Sequence, residues 1–262
     1  MLLTIQIVNY NSRGNLADCL KSIQDNVMGQ PQLQIIVVNN ENKDLAGDQI
    51  LPEGIEVVEA KENLGFGRAH NLGAKIARGE YILFLNPDAK VFSNSIPHLL
   101  DVFKDDKRVG IAGPLLVGES GNAEEEHFGT AKTPFSLIRS KIYQGRKKFS
   151  ELMEIDWISG GAMMIKRNIF EELEGFDENY FMYFEDVDLC LRAKKRGYRV
   201  VLNPRARIFH KSGQSFSDNR QKKRHYYISQ DYYLRKHFGF WKAGIAKILR
   251  FPFYLKNVYL SK

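Results

Sequence analysis

The sequence predicts an α/β fold: a mostly parallel central sheet flanked by helices, followed by a basic helical extension at the C-terminus. Three observations predict it. Over the first 90 residues, short apolar runs of strand length alternate with stretches whose apolar residues fall at helical spacing. That order folds as parallel strands joined by right-handed crossovers. Next, the runs end in polar residues: Asn9 and Asn11, Asn39 and Asn40, Asn86 and Asp88. Groups that touch ligands collect at the carboxyl ends of strands in such sheets. Finally, residues 219–262 hold eleven Lys and Arg against one acid, Asp231, a formal +10, while the whole chain carries +7; residues 1–218 therefore carry −3.

The elements follow in order. Residues 2–8 form an apolar run ending at Asn9-Tyr10-Asn11-Ser12, a buried strand entering a loop. Leu16, Cys19, Leu20 and Ile23 then keep helical spacing. Residues 35–38 and 55–58 are the second and third strands, and residues 81–85 the fourth. Residues 69–77 read as a helix stopped by Gly79. Residues 118–150 combine glycines, Pro134 and the run Glu124-Glu125-Glu126, a composition expected of a mobile loop or lid. Residues 157–165 read as a strand broken by Gly160 and Gly161, where something approaches the backbone closely. A helix over 168–173 stops at Gly175. Another over 189–195 stops at Gly197, and a late strand over 198–202 ends before Pro204.

The length of 262 residues suits one large domain with an appendage. The two cysteines, Cys19 and Cys190, match no metal-ligand spacing and read as reduced and structural, as in a cytosolic chain. Residues 1–8 are too short for the apolar core of a secretion signal. No run of 18 apolar residues is present to span a membrane.

The chemistry centres on Glu185-Asp186-Val187-Asp188, three carboxylates within four residues, hemmed by aromatic and apolar neighbours. Crowded carboxylates repel and lose hydration, so at least one pKa should rise. A metal, a cation or a proton transfer uses such strain; a plain helix start would also favour acids there. Asn86-Pro87-Asp88 ends a strand with a carboxylate that suits an oxygen-ligand ion such as Mg²⁺ or Mn²⁺, and is equally good turn chemistry. Asn63-Leu64-Gly65-Phe66-Gly67-Arg68 precedes a helix: its glycines allow close approach and Arg68 offers a cation to a phosphate, or the stretch is a tight strand-to-helix turn. His210 follows a strand beside Lys211, as a metal or diphosphate contact or as a structural histidine.

Taken together, these motifs resemble the family 2 glycosyltransferases, the bacterial rhamnosyltransferase-like branch above all, over about residues 3–215. The resemblance implies a GT-A fold with a Rossmann-like sheet, a nucleotide-sugar donor (dTDP- or UDP-linked, L-rhamnose from dTDP-rhamnose first), Mg²⁺ or Mn²⁺, and inversion at the anomeric carbon. It implies a nucleotide-sugar-binding half over 1–90, an acceptor-binding and catalytic half over 91–218, and a basic aromatic tail over 219–262. Asp186 is the implied base, with Glu185 beside it. Asp88 and His210 are the implied metal ligands. Asn9, Asn11, Asn39, Asn40, Asn63, Gly65, Arg68, Asn86, Gly160 and Gly161 are the implied donor contacts. Trp157, Tyr183 and Glu185 are the implied acceptor contacts. One departure stands out: relatives carry Asp-Asn where this chain has Asn39-Asn40, which leaves the base preference open.

In the tail, Trp241, Ile245, Ile248, Leu249 and Pro252 share one helical face, with Lys247 and Arg250 turned away. A basic, aromatic, amphipathic segment suits a membrane surface; a helical pair packed on the domain or a nucleic-acid patch are the other readings. The expected acceptor is a glycan, polyprenyl-diphosphate-linked as is common in this branch, and the expected location is the cytoplasm, peripheral to the inner face of the membrane, with no nucleic-acid partner. Two other functions compete. A nucleotidyltransferase would carry a Gly-rich, basic loop after the first strand, where this chain has Asn9-Tyr10-Asn11-Ser12-Arg13-Gly14. A nucleic-acid-binding protein would want basic patches around the motifs, and the body is acidic.

Overall fold

The computed structural model describes residues 3–27, 32–45, 51–139, 151–211 and 219–260. The first third comprises β1 (Leu3–Asn9), α1 (Arg13–Asn26), β2 (Leu33–Asn39), β3 (Ile55–Glu59), α2 (Phe66–Ala74) and β4 (Tyr81–Leu85). Next come β5 (Ala89–Val91), α3 (Ser95–Asp105), β6 (Val109–Val117), β7 (Phe128–Gly129) and α4 (Pro134–Arg139). Then follow β8 (Met153–Glu154), β9 (Trp157–Ile158), β10 (Ala162–Lys166), α5 (Arg167–Glu172), α6 (Glu185–Lys195) and β11 (Arg199–His210). The tail is α7 (Asn219–Phe238), α8 (Phe240–Leu255) and a π turn, Lys256–Leu260.

One sheet runs β3-β2-β1-β4-β10-β6-β11-β5, with β8 on the flank of β11. β1, β2, β3, β4, β6 and β11 point one way; β5, β8 and β10 are reversed. β1 and β4 are buried along their whole length, as the unbroken apolar runs of a strand covered on both faces require. Leu16, Cys19, Leu20 and Ile23 of α1 pack with Ile5 and Ile7 on one face. Phe84, Met163, Ile165 and Leu189 lead the core on the other.

The structure departs from the sequence reading in five places. β10 is antiparallel to both its neighbours. The 157–165 run makes two strands in different sheets, with β9 pairing β7 and β10 in the centre. α2 starts at Phe66 and ends at Ala74, before Gly79. Gly79 serves packing instead: a Cβ there would lie 2.5 Å from the Thr4 nitrogen and the Tyr81 oxygen. β11 passes through Pro204 to His210 because its register with β6 breaks between Asn203 and Arg207; a proline without a ladder N–H fits such an irregularity. The expected lid is ordered over 118–139, with a bridge between Val117 and Ala123, a 3₁₀ turn over Glu125–His127, β7 and α4. The remainder of that stretch, 140–150, lies outside the described residues.

The tail is built into the domain. Tyr233 and Leu234 of α7 are buried. Ser229 Oγ donates to the Met182 carbonyl at 2.7 Å. α8 faces inward with Ala243 and Ala246 and leaves Trp241 82%, Ile248 74% and Ile245 59% exposed. No described helix is long and apolar enough to cross a membrane.

Candidate active site

Strand pairing builds the first half of the site. β5 pairs with the end of β11, setting His210 opposite Ala89 and therefore beside Asp88. The Asn86 N–H donates to the Gly161 carbonyl at 2.9 Å, which ties the end of β4 to the turn before β10. His210 Nε2 lies 3.3 Å from Asp88 Oδ1 and 3.2 Å from Asn86 Nδ2. Asp88 and His210 are both buried, and among the described residues Asp88 Oδ1 has no partner other than this imidazole nitrogen. The other imidazole nitrogen, Nδ1, lies 3.4 Å from Glu124 Oε2. Glu124 in turn sits 3.1 Å from His127 Nε2. Glu124, His127 and His210 can each turn one ligand atom to a point where all lie within 4.8 Å of one another. A buried carboxylate oxygen whose one partner is an imidazole nitrogen, with a second carboxylate close by, fits a divalent ion that accepts N and O ligands. A Cβ at Gly161 would stand 3.4 Å from both Asn86 Nδ2 and His210 Nε2, so the glycine leaves this corner open.

The acidic turn builds the second half. Tyr183 and Phe184 hold φ of 68° and 69°, left-handed backbone that bulky residues rarely adopt. Strain of this kind persists where packing imposes it, often at functional sites. Here Phe184 is buried against Tyr226 and Tyr233 of α7, with ring centroids 5.2 Å away in each case. The kink aims α6 so that Asp186 Oδ2 accepts from the Gly160 N–H at 3.0 Å and Oδ1 from the Val187 N–H at 2.7 Å. Burial pushes the Asp186 carboxyl up, against these two bonds. Burial, then the neighbouring Asp186 charge, pushes Glu185 further up. Glu185 is buried and its Oε2 has no hydrogen-bond partner. Asp188 differs. It is fully buried, and Arg192 Nε at 2.6 Å, Lys236 Nζ at 2.6 Å and His237 Nε2 at 2.7 Å surround it. Burial pushes this carboxyl up, but His237, Arg192 and Lys236 outweigh that and hold it below the usual range. The third carboxylate is thus the bolt between α6 and α7.

The amides at the strand ends turn to one another. Asn9 Nδ2 donates to Asn39 Oδ1 at 3.0 Å and to Glu41 Oε1 at 2.8 Å. Asn39 Nδ2 donates to Glu59 Oε2 and to the Lys43 carbonyl, both at 2.6 Å. Asn40 Oδ1 accepts from the Leu64 N–H at 2.8 Å, and Asn40 Nδ2 donates to Asn63 Oδ1 at 3.2 Å.

A family model described as glycosyl transferase family 2 matches residues 4–174, about two thirds of the chain. The chain belongs to that family. A second model, described as the N-terminal domain of galactosyltransferase, matches residues 141–212. Among curated relatives, the N-acetylglucosaminyl-diphospho-decaprenol L-rhamnosyltransferase of Mycobacterium tuberculosis is 28% identical over 226 residues, covering 75% of this chain and 72% of that one. The rhamnosyltransferase WbbL of Escherichia coli is 26% identical over 220 residues, covering 78% of this chain and 81% of that one. Among solved structures, GalNAc-T7 with UDP, GalNAc and Mn²⁺ superposes with a TM-score of 0.64 at 17% identity. It covers 89% of this chain, which spans half of that one. The fold is GT-A, and the protein is a glycosyltransferase of glycan synthesis.

In this family 2 glycosyltransferase, Asn86, Asp88, His210, Gly160, Gly161, Glu185 and Asp186 come together. Other expected contacts sit differently. Asn9 and Asn39 are fully buried, and their amides hydrogen-bond to each other and to the scaffold. Asn63 and Asn40 do the same for the loop before α2. Asn11 is exposed in left-handed backbone, φ 49°. Gly65, at φ 82°, does admit a close approach, but by the protein itself: a Cβ would lie 2.2 Å from the Phe181 carbonyl oxygen. Arg68 Nε donates to the Glu178 carbonyl at 2.7 Å and so ties α2 to the segment before the acidic turn. Trp157 is buried, with Lys132 Nζ 4.5 Å from its ring centre. Glu124, His127 and Lys132 were not legible as site residues. The carboxylate and imidazole three residues apart at 124 and 127 were the available signal, submerged in an acidic run that reads as solvated.

Proposed function

We propose that this glycosyltransferase moves a sugar from a nucleotide-sugar to a hydroxyl of a glycan acceptor, with inversion, and that Asp186 is the base. One observation carries the reading. The turn Ser159-Gly160-Gly161 joins both halves of the site: Gly160 donates to Asp186, and Gly161 accepts from Asn86 beside Asp88 and His210. Asp186 takes the proton as the acceptor oxygen attacks, and its pKa, raised by burial, suits a base that must hold a proton. Gly160 fixes the carboxylate's direction. Asp88 and His210 would hold a Mg²⁺ or Mn²⁺, with Glu124 orienting the His210 ring through Nδ1. Such an ion, when bound, would offset the charge growing on the leaving diphosphate. The two relatives named as rhamnosyltransferases support L-rhamnose as the sugar, and dTDP-rhamnose is the donor we put first. The Mycobacterium relative's name supports a polyprenyl-diphosphate-linked acceptor.

The exposed face of α8 and the basic tail support attachment to the cytoplasmic face of a membrane, each cation near an anionic leaflet adding about 1 kcal/mol. Ile245→Asp with Ile248→Asp in the full chain should abolish co-sedimentation with phosphatidylglycerol vesicles; unchanged binding would refute the attachment.

Thermal shift with UDP, dTDP, GDP and CMP, each with and without Mn²⁺, tests the donor reading. We expect one nucleoside diphosphate to raise the melting temperature only with Mn²⁺, and Asp88→Ala to remove the metal-dependent part. No shift with any nucleotide would overturn the reading.

A further inference from the structure

A cavity of about 360 Å³ opens between the kink before α6 and the tail, lined by Tyr183, Lys222, Lys223, Tyr226, Tyr227 and Asn257. Its size falls within the range of small-ligand sites. Five of its six lining residues come from beyond residue 218, and all six lie outside the segment matched by the family 2 model. The lining chemistry is specific. Two half-buried lysines stand in succession in the first turns of α7, and the described residues that line the cavity include no carboxylate. Adjacent ammonium groups favour an anion of more than one charge, such as a phosphate chain. The three tyrosine rings offer flat apolar faces for a sugar ring or a hydrocarbon chain.

Position adds to chemistry. Tyr183 belongs to the strained pair that aims Glu185 and Asp186, and its ring lies 5.8 Å from that of Tyr226. Tyr226 also touches Phe184, at 5.2 Å. Burial pushes the Tyr226 hydroxyl up to about 12, with Tyr227 and then Asp186 adding to the rise and Arg250 opposing it. The far wall is held in place: Asn257 Nδ2 donates to Tyr227 Oη at 3.0 Å, and the Tyr227 and Tyr254 rings meet at 5.1 Å. Around that wall Phe253 and Tyr259 are exposed, 48% and 62%. A ligand in the cavity would therefore touch Tyr183, of the strained pair before the acidic turn, and meet an aromatic rim.

We infer that this cavity holds the diphosphate and first isoprenoid units of a lipid-linked acceptor, with Lys222 and Lys223 on the phosphates and the tyrosines on the adjoining sugar and hydrocarbon. The inference rests on the proposed lipid-linked acceptor and on Asp186 being the base. It extends that reading, because it makes the tail part of the acceptor site as well as a surface for the membrane.

The test is calorimetric titration of the full chain with farnesyl diphosphate and with inorganic pyrophosphate, in EDTA so that no metal can draw a diphosphate to Asp88 and His210. Farnesyl diphosphate should bind, and more tightly than pyrophosphate. Lys222→Gln with Lys223→Gln should weaken it at least tenfold. Tyr227→Ala should reduce the advantage of farnesyl diphosphate over pyrophosphate. The Mn²⁺-dependent nucleotide shift should stay unchanged in both variants, and the melting temperature in the lysine variant, which keeps a failure here separate from a failure of the donor reading. Equal affinity in the lysine variant, or no binding by the unaltered chain, would overturn the inference. So would displacement of farnesyl diphosphate by phosphatidylglycerol vesicles at matched phosphate, which would assign the lysines to lipid headgroups.

Discussion

The amide-bearing strand ends and the acidic turn are the two polar regions at the heart of this molecule, and they are satisfied in opposite ways. At the strand ends, Asn9, Asn39, Asn40 and Asn63 give their amides to each other, to Glu41 and Glu59 and to nearby backbone. In the site, Glu185 Oε2 is buried without a hydrogen-bond partner, Asp88 Oδ1 meets only the His210 imidazole, and two aromatic residues at the acidic turn are held in left-handed backbone. Buried polar atoms cost about 1–3 kcal/mol each when unpaired, so a fold retains them where something else repays the cost. Polarity at a strand end marks a junction; unspent polarity marks chemistry. His70 sharpens the rule. Both of its ring nitrogens are also unpartnered, but the ring is fully buried beside Phe66 and Phe84, and burial pushes its pKa down to about 3. It is a neutral part of the core.

The comparison can be broken at its strongest point first. Asp188 is the acid of the turn that is fully spent, so Asp188→Asn should destabilise the protein by about 3–5 kcal/mol, as breaking a buried ion pair does. A denaturant melt checks this; a loss under 1 kcal/mol would show that Arg192, Lys236 and His237 do not depend on it. At the strand ends, Asn39→Ala should cost about 1–3 kcal/mol of stability through the orphaned Asn9 and Glu59. It should leave nucleotide affinity within a few-fold. Normal stability with a tenfold loss of nucleotide binding would restore Asn39 as a donor contact.

The smallest effects are in pH. Asp177 is held down to about 2: burial raises it, but Lys236, Asn179 and Tyr232 outweigh burial. Its ordinary value is about 3.9, so its contribution is present above that and is lost as pH falls toward about 2. Asp188 acts in the same direction. Melting temperature should therefore drop through that acid window, and Lys236→Met should flatten the drop. Transfer rate should instead rise with pH through the raised pKa of Asp186 and then level off. A rate independent of pH from 4 to 8 would contradict the role of base.

Much of this was legible in the sequence. β1, β2 and β4 were readable because strands covered on both faces need unbroken apolar runs. Gly175 and Gly197 were readable as helix stops, and both adopt positive φ. What a polar residue spends itself on was not readable. The type of Asn39 is local, but its partners Asn9 and Glu59 arrive through strand pairing. Glu124 and His127 were hidden for the same reason. They meet His210 only because β6 and β11 pair along most of their length, carrying a residue 86 positions away to the same corner. The tail's apolar stripe was visible, but its packed side rests on Ala243 and Ala246, small residues that carry little hydrophobic signal.

The most direct test of the central claim is the transfer rate of Asp186→Asn at saturating nucleotide-sugar, Mn²⁺ and acceptor. The amide keeps the shape of the carboxylate and its bond from Gly160 is the contact to monitor by structure. Folding and nucleotide binding should be unchanged and the rate lowered by about 10²–10⁴-fold, the usual worth of a general base. A rate within a few-fold of the unaltered enzyme would contradict it and remove Asp186 from the chemistry.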